Sequence, residues 1–75
     1  MRKLPVVSGR KIIKALEKKN FSVVSQKGSH VRLKKIGAGR VFIVIVPMHA
    51  ELAKGTLKSI LRQANITLDE LLELL

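Results

Sequence analysis

The chain contains no cysteine, tryptophan or tyrosine among its 75 residues. Without cysteine it can form neither a disulfide framework nor a thiolate metal site, which suits a reducing cytoplasm. Its only aromatic rings are Phe21 and Phe42, and both fall where core residues are expected. That argues against single-strand readers that stack bases on exposed rings. Long apolar runs are also missing. Val41 to Val46 is the longest, too short to span a bilayer. The opening Met1-Arg2-Lys3-Leu4-Pro5-Val6-Val7-Ser8 lacks the apolar stretch of a signal peptide. These features lead us to expect a cytoplasmic protein with no membrane partner, forming one domain over residues 1–75.

Acidic residues are scarce. Five of them face fifteen Lys and Arg, a net charge of +10. The imbalance is concentrated in residues 1–50, where twelve cations meet one anion, Glu17. A field of this strength gathers polyanions, so nucleic acid is the expected partner and an anionic membrane a distant second. The simpler alternative is a solvated basic surface.

What is present reads as alternating helix and strand signals. Ser8 is an N-cap, with Val7 and Ile12 as a hydrophobic staple, and Ile12, Ile13 and Leu16 form a narrow apolar stripe. The spacing predicts a helix over 9–19, with Asn20 as the left-handed residue that ends it. Residues 21–26 read as a first strand, Lys27-Gly28-Ser29 as a turn, 30–34 as a second strand and 41–46 as a third, after a turn over 36–39. The second strand alternates: Val31 and Leu33 point to the core, His30, Arg32 and Lys34 to solvent. The third is apolar on both faces, so its outer face requires a cover.

Pro47 then stops the sheet. Leu57, Ile60, Leu61 and Ala64 recur at helical spacing from near Lys54 to Asn65. Thr67 to Glu70 reads as a capping box, with Ile66 and Leu71 as its staple, opening a last helix over 68–75. The order is α-β-β-β-α-α. This predicts a two-layer α+β domain with a three-stranded antiparallel sheet and helices on one face.

His30 is the leading site candidate. It follows a tight turn, shares a solvated face with Arg32 and Lys34, and carries the side chain best suited to proton transfer near neutrality. A lone histidine on a polar strand face is more often an ordinary surface residue. His49 is a second candidate for proton transfer, although a role in capping its loop is the favoured reading. Two histidines with Glu51 nearby lack the spacing of known metal-ligand sets, so no metal or other cofactor is expected. Gly37-Ala38-Gly39 is a hairpin turn rather than a phosphate loop. Asp69, the sole aspartate, sits in the acidic tail, and no serine triad can be built on it.

Taken in order, Ser8-Gly9-Arg10, Lys27-Gly28-Ser29-His30, Pro47-Met48-His49 and the run from Glu51 to Ala64 resemble the HicA toxins across almost the whole chain. The run Gly55-Thr56-Leu57-Lys58-Ser59-Ile60-Leu61-Arg62-Gln63-Ala64 is the most specific element. Asn65 stands where the family usually has glycine, a change that preserves access to the left-handed conformation. The resemblance implies a fold like the double-stranded RNA-binding domain, ribosome-independent cleavage of mRNA, and neutralisation by a HicB antitoxin. It also implies a catalytic role for His30. On that reading Lys27, Gly28, Ser29, Arg32 and Lys34 would contact RNA, and the enzyme would be a metal-independent endoribonuclease. A non-catalytic RNA-binding module is the alternative, and a structural protein whose third strand docks another chain is a weaker one.

Overall fold

The computed structural model describes residues 3–75. Met1 and Arg2, the head of the segment read for a signal peptide, lie outside the described residues. The elements follow the expected order: α1 (Gly9–Glu17), β1 (Ser22–Lys27), β2 (His30–Gly37), β3 (Arg40–Pro47), α2 (Lys54–Ala64) and α3 (Leu68–Leu74). The three strands form one open antiparallel sheet in the order β1-β2-β3, an α+β architecture.

Local signals set the helix ends. Ser8 accepts a bond from the Lys11 N–H through its hydroxyl and so caps α1. The helix is shorter than the predicted 9–19, because Lys18, Lys19 and Asn20 unwind into a turn. Asn20 takes φ 71°, and the Phe21 N–H returns to the Leu16 carbonyl. Phe21 therefore belongs to the helix cap and the core rather than to the first strand. At α2 the left-handed Asn65 ends the helix as expected. Thr67 and Glu70 form both bonds of the capping box at α3.

The hairpins are tighter than the sequence reading, which makes β2 and β3 longer. Gly37 pairs with Arg40, leaving Ala38 and Gly39 as a two-residue turn with both φ values positive. Lys27 pairs with His30 around Gly28 and Ser29, and Gly28 takes φ 58°, which glycine adopts without steric cost. Between Val23 and Ser25 the β1–β2 register slips by a bulge, and all six residues of this edge strand are exposed.

Val31 and Leu33 of β2 join Val44 and Val46 of β3 on the inner face, where they pack with Ile12, Leu16, Leu57, Ile60 and Leu71 of the helices. Lys18 ties α1 to the end of α3, its ammonium donating to the Leu74 carbonyl at 2.9 Å. Leu74 is half-buried against the core and Leu75 is exposed.

On the outer face, His30, Arg32, Lys34 and Ile36 alternate along β2 opposite Pro47, Ile45, Ile43 and Val41. Of the apolar side chains there, Ile43 and Ile45 are half-buried, whereas Ile36 and Val41 are 73% and 57% exposed. The need for a cover thus falls at the far hairpin, away from His30. Phe42 is half-buried with the Arg40 guanidinium 4.9 Å above its ring.

Candidate active site

His30 is the first residue of β2, directly after the Gly28–Ser29 turn, and its side chain is exposed. Its neighbour across the sheet is Pro47, the last residue of β3. The ladder then continues one step past the strand. The Met48 N–H donates to the Ser29 carbonyl at 2.6 Å, so the residue before each histidine is bonded to the other.

The loop carrying His49 is also held from the N-terminal side. The Gly9 N–H donates to the His49 carbonyl at 2.9 Å, and the Leu52 N–H to the Val7 carbonyl at 2.9 Å. Gly9 is buried at this crossing. A Cβ there would overlap the Pro47 carbonyl oxygen and come within 3.2 Å of the Met48 Cα. Only glycine allows α1 to start so close to the loop. The His49 carbonyl holds the first residue of α1 rather than its own loop, and its imidazole is exposed.

The two histidines line one open cleft of about 450 Å³. It is lined by Ile45 and Pro47 of β3 on one side and by Gly55, Thr56, Ser59 and Gln63, spread along α2, on the other. Leu57, Ile60 and Ala64 bury α2 in the core, and Gln63 ties it to β3. β3 is an edge strand, and its Ile45 N–H is taken up by the Gln63 side-chain carbonyl at 3.0 Å. The Gln63 amide in turn donates to the Ser59 hydroxyl at 2.9 Å. A helix side chain thus occupies an edge donor that would otherwise invite another strand. Ala53, at the N-cap of α2, makes no side-chain capping bond, so the first N–H groups of that helix lack the usual acceptor.

Among the lining residues, His30 and His49 are the only titratable side chains. The predicted RNA contacts lie elsewhere. Lys27 pairs with His30 from β1, and Arg32 and Lys34 extend from His30 along the outer sheet face, all exposed and none within the cleft. A second, smaller depression shares His49 and is lined by Ser8, Arg10, Met48 and Ala50. Among the described residues no group of three or more His, Cys, Asp or Glu is placed to hold a metal ion. None of the described helices is long and apolar enough to cross a membrane.

Thr56, Ser59, Gln63 and Arg10 had no individual role in the sequence reading. A usable signal existed for three of them: Thr56, Ser59 and Gln63 recur at spacings of three and four, a polar strip beside the buried stripe of α2.

Fold and cleft together define a small, strongly basic α+β domain with two histidines facing one cleft beside a cationic sheet. The family model described as the HicA toxin of bacterial toxin-antitoxin systems matches residues 9–66. The chain belongs to this family, and membership places it on the toxin side of a toxin–antitoxin pair. Comparison with curated proteins gives no match.

Proposed function

We propose that this toxin is an endoribonuclease that cleaves mRNA, with His30 as the base that removes the proton from a ribose 2′-hydroxyl. The 2′-oxygen then attacks the adjacent phosphorus. The observation that carries this reading is His30 itself: exposed at the mouth of an open cleft, on a backbone fixed by a two-residue turn and a 2.6 Å bond to the neighbouring loop. Fixed backbone matters because a general base must meet its proton within hydrogen-bond reach.

Lys27, Arg32 and Lys34 would hold flanking phosphates on the sheet, guiding the strand toward the cleft. Gly28 and Ser29, small residues at the tip of the turn, would let the RNA backbone pass close to His30. The helix-backed sheet supports a likeness to the double-stranded RNA-binding domain, with contacts made through shape and phosphates rather than stacked bases. The reading includes a single domain over residues 1–75, action in the cytoplasm, no requirement for a metal or cofactor, and inhibition of translation.

The restraining partner would be an acidic antitoxin of the HicB type that covers His30, Arg32 and Lys34 and competes with RNA. Ile36 and Val41, exposed on the same face, would give that contact an apolar end.

Incubating purified protein with RNA in excess chelator tests the activity. Cleavage that is lost in His30→Ala supports it, and binding without cleavage by the wild type would replace it with the non-catalytic RNA-binding module.

A further inference from the structure

We propose that His49 is the second catalytic residue of the cleft, the acid that protonates the departing 5′-oxygen. The inference rests on the nuclease reading above. Breaking the P–O5′ bond leaves an alkoxide, which is a poor leaving group unless a proton reaches it as the bond breaks. The cleft offers few sources for that proton. The Thr56 and Ser59 hydroxyls do not ionise near neutrality, and Gln63 is already engaged with Ile45 and Ser59. No lysine or arginine lines the space. That leaves the two imidazoles, and His30 must begin the reaction deprotonated.

The surrounding backbone treats His49 as a positioned group. The residue before it is bonded to Ser29, its own carbonyl to Gly9, and Leu52 to Val7, which anchors the loop on both sides of the histidine. The imidazole takes no part in any of these bonds. It lines the cleft from the loop after β3, while His30 lines it from the start of β2. A displacement at phosphorus needs two such groups, one at the entering oxygen and one at the leaving oxygen.

The step balances without any other reagent. His30 accepts the 2′-hydroxyl proton, the O2′–P bond forms and the P–O5′ bond breaks. His49 in its imidazolium form gives its proton to O5′. The products are a 2′,3′-cyclic phosphate and a free 5′-hydroxyl, and exchange with water restores both rings. The charged groups facing the pair are Lys27 opposite His30 on β1 and Arg10 of α1 beside His49, with Glu51 two residues farther along the loop. α2 and β3 present no charged side chain to the cleft.

The test uses an RNA with a mapped cleavage site, prepared with either oxygen or sulfur as the bridging 5′-atom, because a thiolate leaves without a proton. On the oxygen substrate His49→Ala should lose about 10²- to 10⁴-fold in rate, the usual contribution of a general acid. On the sulfur substrate it should return to within roughly tenfold of wild type, while His30→Ala stays inactive on both. His49→Gln, closer in size, serves as a second variant, with circular dichroism to verify folding. Equal losses on both substrates, or wild-type rates in a folded His49 variant, overturn the proposal. Failure of the wild type to cleave either RNA overturns the nuclease reading itself, and the role of His49 falls with it.

Discussion

The Met48 N–H and the Ser29 carbonyl form a 2.6 Å bond one residue before each of the two histidines of the cleft. It joins the turn after β1 to the loop after β3. Residues separated by nineteen positions in the chain thus share one short rigid support.

His30→Ala should abolish RNA cleavage while leaving the thermal midpoint and RNA affinity close to wild type. The side chain is exposed, so its removal opens no cavity. Single-turnover kinetics beside a melting curve check this. Undiminished cleavage by the folded variant would remove His30 from the mechanism.

Gly9→Ala should destabilise the fold by roughly 1–3 kcal/mol and weaken activity further by displacing the loop of His49. The added methyl meets backbone atoms of Pro47 and Met48, which cannot swing aside as a flexible side chain would. Urea denaturation measures the first effect. An unchanged midpoint would mean that α1 shifts without strain.

Ala38→Asn should stabilise the β2–β3 hairpin by about 0.5–1 kcal/mol. Ala38 has φ 52° in a two-residue turn, a conformation asparagine tolerates better than alanine. The substitution lies at the opposite end of the strands from His30, so cleavage should not change. A lower denaturation midpoint would contradict the assigned turn.

Glu70 makes stability depend on acid pH. Its carboxylate accepts the Thr67 N–H and pairs with Lys19 at 3.2 Å, and these contacts hold its pKa below the ordinary value. A depressed carboxylate stabilises the fold above its unfolded pKa, and that contribution is lost as pH falls through the folded value. Denaturation midpoints should therefore fall as the pH drops below about 4.5, and less steeply in Glu70→Gln. Parallel curves would remove Glu70 from the linkage. At neutral pH Thr67→Ala should cost about 1 kcal/mol through loss of the cap.

RNA affinity should fall steeply with salt, with log affinity changing by about −0.7 per neutralised phosphate for each unit of log salt on single strands. Arg32→Ala and Lys34→Ala should each flatten that slope without altering sequence preference, because they meet phosphates rather than bases. Slopes equal to wild type in both variants would move the binding face elsewhere.

Much of this protein was legible in its sequence because the physics involved is local. Side-chain alternation placed Val31 and Leu33 inside and His30, Arg32 and Lys34 outside, and capping residues marked the starts of α1 and α3. Asn65 closed α2 where its left-handed preference indicated, and the charge imbalance needed only counting. Tertiary structure decided what depends on distant partners. Phe21 left the strand for the core because its N–H returns to Leu16, a choice between two plausible local structures. Lys27, Arg32 and Lys34 remained on the sheet while His30 faced a cleft whose other wall, α2, is buried through Leu57, Ile60 and Ala64 and bonded to Ile45 through Gln63. His49 gained its place beside His30 through two backbone bonds, its own carbonyl to Gly9 and the Met48 N–H to Ser29. Strand and helix signals act over a few residues, and no local rule brings a loop at residue 49 to a turn at residue 29. Only the closing of the sheet and the packing of α1 against it supply that contact.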